Sequence, residues 1–155
     1  MRILVPLDES DLSRSALPKA TELARALGQD LLLVTVADAH TRSDLAELAS
    51  VERADPIDIL NENLISVADS ISGIEVVTDL MPGDDPASVI VDRAEKPDVS
   101  MIVMATHGRT GLSRWRMGSV ADRVVRGATV PVLVVPAPWR LKVTEPTDIA
   151  EQAGV

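Results

Sequence analysis

The chain of 155 residues contains no cysteine, no phenylalanine and no tyrosine, and it has only two tryptophans. Without thiols, disulfides, thiolate catalysis and cysteine-based zinc sites are excluded. Two histidines, His40 and His107, are too few for a metal site built from histidine. The scarcity of aromatic rings also removes the platforms on which proteins stack single-stranded nucleic acid. The core must therefore consist of Val, Leu, Ile, Ala and Met, which is typical of parallel strands covered on both faces by helices.

Positive charge is in short supply as well. Fifteen Lys and Arg stand against 24 Asp and Glu, which gives a net charge of −9 and a pI of about 4.6. Such an acidic surface repels nucleic acid and anionic membranes, so we expect neither as a partner. No apolar run approaches the roughly 20 residues that span a bilayer. The first ten residues, MRILVPLDES, read as a strand rather than a signal peptide, so a cytoplasmic protein is expected.

Strand-like and helix-like segments alternate along the chain. Continuous apolar runs predict strands at 3–7, 31–36, 74–80, 99–105 and 130–135, and helical spacing predicts helices at 12–27, 57–71, 86–96 and 119–126. The polar segment 38–56 is expected to be irregular, with room for a helical turn near Leu45. The alternation predicts an α/β fold, in which a parallel sheet with right-handed crossovers carries helices on both faces.

The most unusual residues follow the fourth predicted strand. Gly108, Gly111 and Gly118 permit positive φ and close backbone approach, and Ser119 opens a helix whose first amides favour an anion. Five arginines lie between positions 109 and 126 against one acid, Asp122, and a bound phosphate would explain this cluster. The alternative is that the glycines serve only the turn and that the arginines form a solvated face. Neither a P-loop nor a GxGxxG loop is present.

The same stretch resembles the nucleotide loop of the universal stress proteins, G-x2-G-x9-G-S/T. Here Ala105-Thr106-His107-Gly108 is followed by nine residues, by Gly118-Ser119 and then by the run VPVLVV at 130–135. The opening ILVPLD at 3–8 also looks like the first strand of that family. The resemblance covers about residues 1–136 and departs at Ala105, which replaces the first glycine of the motif.

The resemblance implies a Rossmann-like, three-layer sandwich with five parallel strands in the order 3-2-1-4-5, of the type seen in adenine nucleotide alpha hydrolases. Residues 1–136 would form a nucleotide-binding domain and residues 137–155 a polar tail. The ligand would be ATP, accompanied by Mg2+, or else ADP or AMP. The residues that would surround it are Pro6, Leu7, Asp8, Val36, Met104, Ala105, His107, Gly108, Arg109, Gly118, Ser119 and Val120.

The family also implies a homodimer joined through the last strand, residues 130–135, that acts in regulation and the stress response. We expect a binding module rather than an enzyme, with at most weak ATP hydrolysis. The alternative is a dimeric interaction protein of the same fold that binds no nucleotide, and Ala105 is the argument for it. An ATP-consuming enzyme of the related pyrophosphatase fold would need a Ser-Gly-Gly loop where this chain has Asp8-Glu9-Ser10.

Several polar residues admit two interpretations. Asp8 could hold ribose hydroxyls or a metal-bound water, or it could cap the first helix, for which Ser10 and Asp11 lie closer. Asp84 or Asp85 is expected to cap the helix that begins at Pro86. Thr106 is expected to be an ordinary loop residue.

Overall fold

The fold is built on a sheet of five parallel strands. A computed structural model describes residues 1–52, 54–106 and 117–136. The strands are β1 (Arg2–Pro6), β2 (Asp30–Ala37), β3 (Val76–Pro82), β4 (Val99–Thr106) and β5 (Val132–Pro136). Their order is β3-β2-β1-β4-β5, and every neighbouring pair is parallel. The predicted strand number, direction and order are confirmed, although β3 and β5 begin two residues later than their apolar runs suggest.

Helices connect successive strands. They are α1 (Asp11–Arg14), α2 (Leu17–Leu27), α3 (Ala39–Glu52), α4 (Pro56–Asp69), α5 (Pro86–Ala94) and α6 (Ser119–Gly127). The single helix predicted at 12–27 is divided after Arg14. Pro18 explains the division, because its ring collides with the carbonyl four residues earlier and it has no amide to donate. None of the helices in the described part of the chain is long and apolar enough to cross a bilayer.

The helix α3 lies where an irregular segment was expected, and that expectation was wrong. Its start is fixed by Asp38, whose Oδ1 accepts a hydrogen bond of 2.7 Å from the Thr41 amide. Among the residues of α3 whose burial is described, Ala49 alone is buried. A helix that buries so little carries no apolar repeat of 3.6 residues, which is why periodicity did not reveal it.

Two hydrophobic layers confirm the three-layer sandwich. Alternate residues of β1 point to opposite faces, so that Leu4 packs beneath α5 and α6 while Ile3 and Val5 pack beneath α2 and α4. Leu31 to Val34 on β2 divide between the same two layers and are fully buried. Burial on both faces explains why the strands read as continuous apolar runs.

The strand order reverses direction beside β1. The chain passes from β1 outward through β2 to β3, then returns to pair β4 with the other side of β1. The connections that leave β1 and β4 therefore depart to opposite faces and open a crevice at the carboxyl ends of these strands. Ligands of open α/β sheets bind in such a crevice.

Candidate functional site

A cavity of about 330 Å³ occupies this crevice, at the carboxyl ends of β1, β2 and β4. Its volume lies at the lower end of the range for ligand pockets, which is about 300–1,000 Å³. The loop after β1, the start of α3, the start of α5 and the start of α6 surround it. Four chain segments distant in sequence thus meet at one site.

Nine of the twelve residues predicted for the site line this cavity. They are Pro6, Leu7, Asp8, Val36, Met104, Ala105, Gly118, Ser119 and Val120. The other three, His107, Gly108 and Arg109, lie outside the described residues. That these side chains contact a ligand stays a prediction, but the fold brings together strand ends that are about 100 residues apart in sequence.

Sequence reasoning missed about half of the lining. The missed residues are Ser10, Leu12, Ser13, Val34, Asp38, His40, Thr41, Pro86, Ile90, Thr106 and Ala121. Most of them belong to the first turns of helices that begin beside the crevice. The pair Asp38 and Thr41 could have been found, since an aspartate three residues before a polar position is a typical helix start.

One wall of the cavity is apolar. Val34, Val36, Ile90 and Met104 line it, and each is at most 8% exposed. They belong to the core beneath α5 and α6, so their positions are fixed by packing on the far side. Such a well-packed apolar wall suits a planar ring that leaves water for an apolar surface.

Asp8 supplies a carboxylate at the end of β1. Its Oδ1 accepts from the Ser10 amide at 3.1 Å and from the Ser10 hydroxyl. The Ser13 hydroxyl accepts from the Asp8 amide at 3.2 Å and donates to the Ser10 carbonyl at 2.9 Å. Burial alone would raise the pKa of Asp8, but the hydrogen bonds from Ser10 and Ser13 outweigh it and leave the pKa below its ordinary value of 3.8. Asp8 is therefore ionised at neutral pH.

The capping role considered for Asp8 belongs to Ser10. The Ser10 hydroxyl accepts from the Ser13 amide at 3.2 Å and precedes the first residue of α1. Asp8 acts one step further out, by holding the Ser10 side chain in place. Its second oxygen, Oδ2, accepts no hydrogen bond within the described residues and can accept from a ligand hydroxyl.

The first turn of α6 faces the cavity from the side of β4. Gly118 is its N-cap, and no side chain among the described residues caps the amides that follow. Ser119, Val120 and Ala121 line the cavity, and the first amides of a helix have no partner inside the helix. Gly118 itself has φ −60° and ψ 154°, so the expected positive φ is wrong at this position. The glycine leaves space in front of the amides rather than permitting a special backbone conformation.

Two of the five clustered arginines are already paired. Arg123 donates two hydrogen bonds, of 2.7 and 2.5 Å, to the Asp85 carboxylate, and Arg126 donates to Asp122 at 2.9 Å. The Arg123 guanidinium, with help from the Ser88 hydroxyl, lowers the pKa of Asp85 to about 2. The ion pairs account for the presence of both arginines without a bound phosphate. Arg109, Arg114 and Arg116 lie outside the described residues.

Thr106 is the last residue of β4 and not the loop residue that was expected. It is 8% exposed and lines the cavity, and its hydroxyl has no hydrogen-bond partner among the described residues. A buried hydroxyl without a partner costs free energy, typically about 1–3 kcal/mol. A polar ligand atom in the cavity would remove that cost.

Comparisons with known proteins agree with this architecture. The model of the universal stress protein family matches residues 1–136. A universal stress protein of Methanocaldococcus jannaschii is 34% identical over 143 residues, which is 88% of this chain and 82% of that protein. The structure of a universal stress protein from Archaeoglobus fulgidus has a TM-score of 0.68 and 26% identity, and covers 86% of this chain and 97% of its own.

The structure of the universal stress protein from Archaeoglobus fulgidus in complex with dAMP has a TM-score of 0.62 and 27% identity. The match covers 86% of this chain and 96% of that one. The family model spans all of the described residues, and the sheet has the strand order that the family resemblance implied. The chain belongs to the universal stress protein family.

Proposed function

We propose that the chain binds an adenine nucleotide in the cavity between β1 and β4 and works as a regulatory module of the stress response. One observation carries the proposal: an apolar wall and the uncapped first turn of α6 line the same cavity of about 330 Å³. A nucleotide has an apolar ring at one end and an anion at the other. The relative from Archaeoglobus fulgidus in complex with dAMP supports a ligand of this class.

The charges that line the cavity favour one orientation of the nucleotide. Asp8 and Asp38 are ionised, and both line the side of the cavity formed by β1 and β2. They repel phosphate, whereas the amides of Ser119 and Val120 at the start of α6 attract it. The base therefore lies against Val36 and Met104, and the phosphates lie at α6. Asp8, between the two, would accept hydrogen bonds from the ribose hydroxyls.

The polar atoms of the cavity fit such a ligand. The buried Thr106 hydroxyl would gain a partner from the sugar or phosphate oxygens. Within the described residues, no three His, Cys, Asp or Glu side chains converge as a metal site of the protein would require. Magnesium bound to ATP needs no such site, because it is held largely by phosphate oxygens and water. ATP with Mg2+ remains our first candidate, followed by ADP and AMP.

The alanine at position 105 is compatible with nucleotide binding. Ala105 lies inside β4, in register with Val135 on β5. The extended backbone of a strand places no demand for glycine. Its methyl group borders the cavity and is the smallest side chain that could stand there. The second candidate function is still that of a dimeric interaction protein with the same fold that binds no nucleotide. A measurement of nucleotide binding distinguishes the two candidates.

We propose binding rather than catalysis. Among the described lining residues, the two carboxylates, Asp8 and Asp38, lie on the base and ribose side in the orientation described above. A general base that activates water must come within hydrogen-bond reach of the attacking oxygen, at the phosphate end. This separation supports a sensor whose occupancy follows the nucleotide supply, with at most slow hydrolysis. A cytoplasmic location also stays a prediction.

A homodimer through residues 130–135 is part of the proposal. β5 is an edge of the sheet, with β4 as its neighbour. Val132 packs on one core and Leu133 and Val135 on the other, whereas Val134 belongs to neither. An apolar edge strand with a side chain that packs on neither core favours pairing with a second chain.

Isothermal titration with AMP, ADP and ATP, with and without Mg2+, tests the proposal. The substitution Gly118→Val places a branched side chain in front of the α6 amides, and its backbone, at φ −60° and ψ 154°, suits valine. We expect the affinity for nucleotide to fall at least about tenfold, because one or two charge-assisted hydrogen bonds to phosphate are lost. Gly127→Ala, at the other end of α6, is the control, because its Cβ would meet Val91 at an ordinary 3.4 Å. Equal affinities of the wild type and Gly118→Val would refute the site.

A further inference from the structure

We infer that Asp38 selects the base, by accepting a hydrogen bond from the 6-amino group of a purine that lies against Val36. The inference rests on the proposed function and adds to it the residue that distinguishes a 6-aminopurine from a 6-oxopurine. The sequence placed Asp38 in a polar segment that was expected to be irregular, whereas the structure brings it into the cavity lining.

The position of Asp38 follows from the course of β2. Val34 and Val36 contribute two residues of the apolar wall, the strand ends at Ala37, and Asp38 continues the lining at the rim. A ring packed on the wall therefore directs one of its edges toward Asp38. Asp8, the second carboxylate among the described residues of the cavity, follows β1 by two residues, and its Oδ1 accepts twice from Ser10.

The Asp38 carboxylate is held in place and has acceptor capacity left. Its Oδ1 accepts from the Thr41 amide at 2.7 Å, which fixes the side chain at the start of α3. No hydrogen bond to Oδ2 is formed within the described part of the chain. His40 stands beside it on the rim but is 84% exposed, and its Nδ1 lies 3.4 Å from Asp44.

Asp38 is ionised at neutral pH. Burial, the largest single influence, raises the pKa of Asp38, but the hydrogen bonding from Thr41 and the electrostatic influence of His40 and Arg42 together leave the pKa below the ordinary value of 3.8. An ionised carboxylate can only accept hydrogen bonds. It therefore attracts the amino group of adenine and repels the oxygen that hypoxanthine carries at the same position.

The experiment compares three ligands that differ only at position 6 of the purine: AMP, IMP and purine riboside 5′-monophosphate. We expect the wild type to bind AMP at least about tenfold more tightly than the other two, since a charged hydrogen bond is gained with AMP alone. In Asp38→Asn the ratio of the AMP and IMP affinities should fall toward one, because an amide can donate to the oxygen of IMP as well as accept. Asparagine also keeps the cap on α3.

Asp44→Asn is the matched control. It removes the same charge from the same helix, beside His40, but Asp44 does not line the cavity. Its AMP to IMP ratio should equal that of the wild type. If Asp38→Asn weakens all three ligands equally or leaves the ratio unchanged, Asp38 only caps α3 and the inference is wrong while the proposed function stands. If the wild type binds none of the three, both are overturned.

Discussion

At the scale of single residues, three aspartates keep their charge by different means. Asp8 depends on hydroxyls and an amide, Asp38 on an amide at a helix start, and Asp98 on two arginines. The first two line the cavity, so their charge is available to a ligand. Asp98 directly precedes β4, at the end of the strands opposite to the cavity, where Arg93 and Arg2 donate to it. The charge of Asp98 therefore stabilises the fold through its ion pairs with Arg93 and Arg2.

Asp98 makes stability depend on pH. Hydrogen bonds from the Arg93 guanidinium outweigh the opposing effect of burial and, together with Arg2, lower the pKa of Asp98 from 3.8 to about 2. A carboxyl whose pKa is lower in the folded state stabilises that state above the unfolded pKa. This stabilisation is present above about pH 4 and is lost as the pH falls toward 2.

We expect Asp98→Asn to lower the free energy of unfolding by about 1 kcal/mol at pH 7, a value reduced for the partial exposure of the pair. Urea denaturation at pH 7, 4 and 2.5 checks this. The difference between wild type and variant should shrink at the lowest pH. Glu62→Gln, an exposed acid on α4, is the control. A difference that is constant across these pH values would exclude the charge of Asp98 as the cause.

At the scale of elements, the start of α6 is tied to the start of α5. Asp85 is the N-cap residue of α5, but its side chain makes no capping hydrogen bond. Both of its oxygens accept from Arg123 of α6, and Oδ2 also accepts from the Ser88 hydroxyl at 2.7 Å. Pro86 and Ile90 of α5 and the first turn of α6 line the same cavity. The ion pair therefore sets the spacing between two walls of the site.

Arg123→Ala should weaken AMP binding by about two- to fivefold without unfolding the protein, because an exposed ion pair contributes little to overall stability. Titration calorimetry and thermal denaturation provide the two readouts. Arg126→Ala is the matched control, since Arg126 pairs with Asp122 inside α6 and does not join two helices. Equal affinities for the two variants would show that the pair with Asp85 does not hold the site.

Elements with a buried apolar face were predictable from the sequence, and those without one were not. The five strands are buried in the centre of the molecule, so Ile3 to Val5 and Leu31 to Val34 appear as uninterrupted apolar runs. α3 buries little besides Ala49 and gives no periodic signal. The site followed the same rule: the strand ends were found, but Asp38 and Pro86 at helix starts were missed, because their approach to the cavity depends on tertiary packing.

At the scale of the whole molecule, the fold leaves β5 as an edge strand, in which residues 132–135 are half-buried. The strand order itself was not derivable from periodicity, which reports on each segment alone. It came from the resemblance of the 105–135 block to a known family, and the structure confirms it. The pairing of β5 with a second copy is still a prediction.

Val134→Asp tests the pairing. Val134 belongs to neither core, so a charge at this position should leave the monomer folded and make a dimer interface there unfavourable. We expect light scattering after size exclusion to give a dimer for the wild type and a monomer for the variant. Val125→Asp, at an exposed valine of α6, should remain dimeric. A dimer that survives Val134→Asp would place the interface elsewhere.

The central claim is that one cavity holds both ends of an adenine nucleotide, and a crystal structure of the protein grown with excess Mg-ATP or AMP tests it most directly. The account predicts density for the base against Val36 and Met104, and for phosphate within hydrogen-bond distance of the Ser119 and Val120 amides. An empty cavity at saturating nucleotide, or a nucleotide bound on another surface, would contradict it.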